Sequence, residues 1–390
     1  MAPAGRRALE ACCADNRAVT RGSAINPSIK SVYRALLHRE TIGLFREQTM
    51  QYRNLGGSGL MVPTLMLGTA TFGGGSEFFK KWGSTDVAEA TSLVDTCLDM
   101  GCNMFDTADA YSRGLSEEIL GKAVEGRRDK VLLATKVGMA MGEGPNDQGT
   151  SRARIIQCCE ASLRRLRTDY IDLYQLHAFD ALTPIEEMLD ALDNLTRAGK
   201  IRYFGVSNYS GWHLMKMLAL ADRHGLPRPV THQVYYALTD RDFESELMPL
   251  GLDQNVGTLV WSPLAGAKLS GKVGRNKAAP ADSRSATNAS WEVPEERLHR
   301  ITDALEAISH ETGVSIPRVA LAWLLGRPTI SSIVIGARNV AQLQDNLAAS
   351  NLQLSAEQIA TLDAASAVRP AYPYWHQRRT SLARNPPPVA

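Results

Sequence analysis

The sequence predicts a (β/α)8 TIM barrel with a short N-terminal β-hairpin and long loops at the C-terminal rim of its strands. Three observations carry this. Eight short apolar, β-prone runs alternate with amphipathic helical patterns from residue 50 onward. Several runs stop at an ionisable side chain, which is how a parallel barrel delivers functional groups to its C-terminal rim. The competing doubly wound sheet would show a Gly-rich phosphate turn after its first strand, and TLMLGTATFGGG has glycines without that spacing.

In chain order, residues 1–49 lack periodicity, mix Arg, Ala and paired Cys, and read as a poorly ordered extension. They have neither the apolar run of a signal peptide nor the acid-poor, Ser-rich character of a transit peptide, and Met50 reads as the functional start. MQYRNLGGSGLMVPTLMLGT then reads as hairpin and strand. Strands are expected at Leu65–Gly68, Asn103–Asp106, Val131–Lys136, Ile171–His177, Tyr203–Ser207, Thr231–Val234, Gly257–Trp261 and Ser332–Ile335. Helical patterns lie between them, among others at Asp86–Met100, Ser151–Leu166, Ile185–Ala198, Trp212–His224, Pro294–Thr312 and Ile316–Gly326. The rhythm breaks between Ala265 and Ser290, after the seventh strand, where a long loop is expected to serve the site. The barrel is thus expected over residues 50–364, with a tail, residues 365–390, whose aromatics and prolines suit a lid over the barrel mouth.

Composition narrows the function classes. The 390 residues are 44% hydrophobic and 22% charged, as in an ordinary globular protein with a substantial core. The net charge of +2 conceals an uneven distribution: residues 1–49 hold eight Lys/Arg against four Asp/Glu, and residues 369–390 hold four Arg and no acid. The body between is net acidic, which argues against nucleic acid as a partner, since phosphate tracking needs a basic stripe on the folded surface. No run approaches the roughly 18 apolar residues of a membrane span. Cysteines at positions 12, 13, 97, 102, 158 and 159 include two adjacent pairs, which suit neither a disulfide framework nor a Cys-x-x-Cys metal site, and a reducing, cytoplasmic setting is expected.

Four residues at or just beyond strand ends form the candidate chemistry: Asp106 and Tyr111 in NMFDTADAYS, Lys136 in VLLATKVG and His177 in IDLYQLHAFD. Each alone has a structural explanation. Asp106 is placed as a helix N-cap would be, Tyr111 as an exposed aromatic, Lys136 as a snorkelling strand-end residue and His177 as a satisfied polar residue. Together they suit proton transfer. A phenol becomes a useful acid beside a cation that lowers its pKa, Lys136 is that cation, Asp106 holds it charged, and His177 can hydrogen-bond a carbonyl oxygen.

The motifs DTADAY, ATKVG, LYQLH, GVSN, WSPLAG and IGARNVAQLQDN occur in order between Met50 and about Ala364, and in this the chain resembles the aldo-keto reductase family. The resemblance is nearest to the branch containing potassium-channel β subunits and bacterial reductases. It implies reduction of an aldehyde or ketone by NADPH, with Asp106, Tyr111, Lys136 and His177 as the catalytic tetrad and Tyr111 as general acid. It further implies Ser207, Asn208 and Gln233 on the nicotinamide carboxamide and Trp261 on the nicotinamide ring. Ser262, Leu264, Gly266, Lys268 and Lys272 match the loop over the pyrophosphate. GAKLSGKV also fits Gly-x-x-x-x-Gly-Lys, but Val273 stands where a nucleotide-hydrolysing loop needs Ser or Thr for magnesium.

Gly336, Ala337 and Arg338 are expected to open a helix whose N-terminus suits phosphate, with the Arg338 fork on a 2′-phosphate, favouring NADP(H) over NAD. Gln342 and Asn346 match contacts to the adenosine end. Aromatic substrate contacts are expected from Phe72, Trp82 and Phe179, with Tyr372, Tyr374 and Trp375 of the tail near the rim, for an apolar or ring-shaped small-molecule carbonyl substrate. No metal is expected, since clustered ligands are missing at strand ends. The rival reading is a cofactor-sensing regulatory protein of the channel β-subunit type.

Overall fold

A computed structural model describes residues 50–74, 83–275, 277, 292–380 and 384. The N-terminal extension expected over residues 1–49 and Trp82 lie outside the described residues. The chain begins with an antiparallel hairpin, β1 (Tyr52–Asn54) and β2 (Met61–Pro63), paired Tyr52 to Pro63. Eight parallel strands then close a barrel: β3 (Leu65–Gly68), β4 (Met104–Asp106), β5 (Leu132–Val137), β6 (Ile171–Leu176), β7 (Ile201–Ser207), β8 (Thr231–Tyr235), β9 (Gly257–Trp261) and β10 (Ile330–Ile335), which returns to pair with β3. The expected barrel and hairpin are both present, with strand limits within about two residues of those read from the pattern.

The helices are α1 (Val87–Asp99), α2 (Leu115–Ala123), α3 (Arg152–Leu166), α4 (Ile185–Arg197), α5 (Gly211–His224), α6 (Leu247–Gln254), α7 (Glu295–Thr312), α8 (Ile316–Leu325), α9 (Val340–Leu347), α10 (Ala356–Ser366) and α11 (Tyr374–Thr380). Their starts are written in short polar residues that accept otherwise unpaired backbone N–H groups. Asp86 and Glu89 form a capping box on α1, Ser355 and Gln358 another on α10, and Ser151, Ser315 and Asn339 cap α3, α8 and α9. Apolar faces of these helices pack on the outside of the strands, for example Leu93, Val94 and Cys97 of α1 and Leu214, Met217 and Leu218 of α5.

Inside the barrel, successive inward positions on a strand are two residues apart. Met66, Met104, Ala134, Leu173 and Leu259 make an apolar floor with Leu55 and Val62 of the hairpin. Two residues further along β4, β5 and β6 stand Asp106, Lys136 and Gln175, all buried. The hairpin thus plugs the N-terminal end and leaves the polar layer at the C-terminal rim.

The plug depends on one turn. Gly56 has φ +56°, and a Cβ there would lie 2.5 Å from both Gly257 N and Val230 O, while the next N–H, of Gly57, donates to Asn255 O at 2.7 Å. Backbone, not a movable side chain, fills the space. On the outer face of β8, His232 accepts the Tyr209 N–H on Nε2 at 3.2 Å, and burial pushes its pKa down to about 3.

Gly56→Ala is expected to lower the unfolding free energy by about 2 kcal/mol or more, read by urea denaturation. Gly59→Ala, with no atom within 4 Å of the new Cβ, is the matched control and should change little. The buried His232 gives a second expectation. Below the unfolded value of 6.5 the unfolded chain takes up a proton that the native state refuses, so stability is full above that pH and falls as pH drops toward 3. Relative to His232→Gln, whose side-chain oxygen also accepts an N–H, wild type should lose about 2 kcal/mol between pH 7 and pH 5, measured by denaturation at each pH.

Candidate active site

The polar layer converges on a buried ion pair. Lys136 Nζ, with no solvent exposure, donates to Asp106 Oδ2 at 2.6 Å and to Thr107 O at 2.8 Å. Asp106 Oδ1 accepts the side-chain amides of Gln233 at 2.9 Å and Gln175 at 3.3 Å. Strand register brings these groups level: Lys136 lies opposite Gln175, and Asp106 opposite Ala134.

Tyr111 enters from the turn after β4. This 3-10 segment, Tyr111–Gly114, holds Ser112 and Arg113 at φ +50° and +55°, a strained path for residues with side chains, and Tyr111 N donates to Ala108 O at 3.2 Å. Lys136 Nζ stands 3.4 Å from the Tyr111 hydroxyl and 5.0 Å from its ring centroid. The His177 ring lies edge-on to Tyr111 at 5.8 Å between centroids. All four expected catalytic residues therefore meet at one place.

Their protonation follows from burial and charge. Burial, the largest single influence, would lower the Lys136 pKa, but Asp106 and Tyr111 together outweigh it and hold the amine above its ordinary value, so it stays charged. Burial raises the Tyr111 pKa and Lys136 pulls it back, leaving it above the free phenol. The sequence reading that Lys136 lowers this pKa is right about Lys136 and incomplete about burial. His177 is pushed down to about 3, first by burial and then by Lys136. Its Nδ1 is buried without a hydrogen-bond partner, and the ring is neutral.

Asp106, Tyr111 and His177 line a cavity of about 490 Å³. It is also lined by the expected Ser207, Asn208, Gln233, Trp261, Ser262, Leu264, Gly266, Lys272, Gly336, Ala337, Arg338, Gln342 and Asn346. Trp261 is fixed by its Nε1–H to Asn208 Oδ1 at 3.0 Å and by the Tyr235 ring at 5.0 Å, while Asn208 Nδ2 donates to His177 O. Ser262, Ala265, Gly266 and Ala267 all have positive φ, and the Ala265 N–H closes the turn on Ser262 O at 2.9 Å. The helix expected to open at Gly336 starts instead at Val340, because the Asn339 side chain accepts the Gln342 N–H, and Gln342 Oε1 reaches back to Arg338 N at 3.1 Å.

Other expectations shift. Lys268 is outside the cavity lining. Phe72 is wholly buried in the core, so it offers a substrate no surface. Phe179 stacks on His213 at 3.5 Å in a rim cluster with Tyr209 and Trp212 rather than facing the cavity. Tyr372, Tyr374 and Trp375 lie in or beside α11 and do not line it either. The structure adds Ala70, Thr71, Met139 and Asp345 to the lining, and Gln175 behind it. Only Gln175 had a sequence signal, standing two residues before His177 on a strand whose alternate positions face inward. Among the described residues no helix is long and apolar enough to cross a membrane, and no three His, Cys, Asp or Glu side chains converge as a metal site requires.

Residues 64–367 match the model of the Aldo/keto reductase family. Similar proteins include an uncharacterized oxidoreductase, YrpG, of Bacillus subtilis (strain 168), 39% identical over 79% of this chain and 93% of that one. A probable voltage-gated potassium channel subunit beta of Arabidopsis thaliana is 37% identical over 77% of this chain and 91% of its own length. Aldo-keto reductase YhdN of Bacillus subtilis (strain 168) is 34% identical over 76% and 87%. With the closed barrel and the converging tetrad in place, the extent of these matches settles the lineage: the chain belongs to the aldo/keto reductase family.

Proposed function

We propose that the protein reduces an aldehyde or ketone to the alcohol with NADPH, and that Tyr111 is the general acid. The observation that carries this reading is a protonated phenol and a neutral imidazole lining one cavity, with the buried Lys136 cation 3.4 Å from the phenol hydroxyl. The bound cofactor would supply a hydride to the carbonyl carbon. The Nε2–H of His177 donates to the carbonyl oxygen and sets its position. Tyr111 gives that oxygen its proton, and the phenolate left behind is stabilised by Lys136, whose charge Asp106 secures.

The residues present fit a dinucleotide. Gln233 spends its amide N–H on Asp106, which leaves its carbonyl oxygen for the carboxamide of the nicotinamide, beside Ser207 and Asn208. Trp261 offers its face to the ring, and the turn from Ser262 to Lys272 covers the pyrophosphate. Arg338, with Gln342 and Asn346, receives the adenosine end, and its planar fork selects the 2′-phosphate. The four described cysteines are free and buried, as suits the cytoplasm. A second reading, a cofactor-sensing regulator, is favoured by the likeness to the plant protein named as a potassium channel β subunit. Such a protein would bind NADPH yet turn over negligibly.

Tyr111→Phe is expected to cut kcat for carbonyl reduction by about a thousandfold while leaving the NADPH dissociation constant within a few-fold, read by NADPH consumption over aldehydes, ketones and quinones and by cofactor fluorescence. Undiminished turnover would end the Tyr111 assignment, and a wild type inert over the whole panel would favour the regulator. Arg338→Ala should weaken NADPH by about tenfold or more and NADH far less, measured by titration with each. Equal losses would remove Arg338 from the 2′-phosphate.

A further inference from the structure

We propose that Asp109 is a positioning residue for the general acid: its buried carboxyl, two residues before Tyr111 in the turn that carries the phenol, sets the charge felt by the phenol. The inference rests on the proposed role of Tyr111.

Asp109 lies two residues before Tyr111 and is fully buried, and its N–H donates to Lys136 O at 3.2 Å, tying the turn to the strand that bears the cation. Neither carboxyl oxygen meets an N–H or O–H donor, and the Cys158 thiol is a weak donor toward it. The surroundings hold two acids and two guanidinium groups. Glu117 of α2 is satisfied by Arg165 Nε at 2.6 Å and Thr135 Oγ1 at 2.6 Å. The other two stay open: Arg154 of α3 is 6% exposed, with Nε and Nη2 buried and unpartnered. Cys158 and Arg165 of α3, Glu117 of α2, Tyr174 of β6 and Tyr111 itself are also in electrostatic reach of Asp109.

An ionised carboxylate left with no donor stronger than a thiol is costly in such a place, whereas the neutral acid is less so. Burial, then repulsion from Glu117, raises the Asp109 pKa to about 7, against the pull of Cys158, Arg154 and Arg165. Ionised Asp109 in turn disfavours the Tyr111 phenolate. In reduction the Tyr111 O–H bond breaks, the proton passes to the carbonyl oxygen and the phenolate remains, so a negative Asp109 opposes the step and a neutral one does not. Reduction is therefore favoured below the Asp109 pKa and disfavoured above it.

The test is the pH profile of kcat for reduction at saturating NADPH. Wild type should fall roughly threefold or more across an inflection near pH 7. Asp109→Asn should lose that inflection with NADPH affinity unchanged, Asp109→Glu should retain it, and Arg154→Gln should move it upward by removing a cation. An Asp109→Asn profile that superimposes on wild type, or an inflection indifferent to Arg154→Gln, overturns the proposal, and leaves the Tyr111→Phe result untouched. Should the variants fail to fold, infrared spectroscopy of wild type decides: a buried protonated carboxyl band should disappear as pH rises through about 7, and its absence below that pH refutes the idea.

Discussion

The Asp106–Lys136 ion pair, closed at 2.6 Å with essentially no solvent exposure, is the constraint around which the rest of the barrel rim is organised. Taking both charges out of water is expensive, and a pair of this kind is a weak source of stability, yet deleting one partner alone typically costs about 3–5 kcal/mol. The surroundings meet that cost group by group. Thr107 O takes a second Lys136 proton, and Gln175 and Gln233 approach the carboxylate oxygen that Lys136 leaves open. Four strands of the barrel thus contribute to one charge pair, and its geometry is fixed only if all four keep register.

Stability and chemistry occupy opposite ends of the same strands. The period-2 alternation that puts Met104, Ala134 and Leu173 on the apolar floor puts Asp106, Lys136 and Gln175 in the layer above it. A one-residue slip on β5 would send Lys136 into the helix layer and break the pair, so the close packing of the floor also enforces the electrostatics of the rim. The hairpin contributes here without touching the site, because Leu55 and Val62 complete the floor and Gly56 lets the turn press on the backbone of β8 and β9.

Strands and helices were legible because the apolar runs are short, bounded and alternate with helical periodicity, and the tetrad was legible because ionisable residues at strand ends are conspicuous. Direction was harder. Phe72 was expected at the rim and is buried, since an aromatic just beyond a strand turns inward or outward according to neighbours the local pattern does not name, here Ser112, whose hydroxyl donates to Phe72 O. Met139 and Asp345 reach the cavity from loop and helix, where no period marks the inward side. Asp345 is held by Ser315 and Arg318, partners 30 and 27 residues earlier in the sequence. The start of α9 moved to Val340 because Asn339 is the stronger cap, although Arg338 still faces the cavity.

Charge balance supports Tyr111 as the proposed donor of the proton. Lys136 is positive and its charge is matched by Asp106, so a second cation beside it would be unmatched, and burial together with Lys136 keeps His177 neutral. A neutral imidazole can orient an oxygen through its N–H, but giving up that proton would leave an imidazolate in a buried site. Lys136 directs its hydrogens toward Asp106, Thr107 and Tyr111, and it has no place in the cavity lining. Tyr111 differs from both. It lines the cavity, holds its proton at neutral pH, and has beside it the one cation able to stabilise its conjugate base. Burial that raises its pKa and a lysine that restrains the rise act together: the first keeps the donor loaded, and the second keeps donation possible.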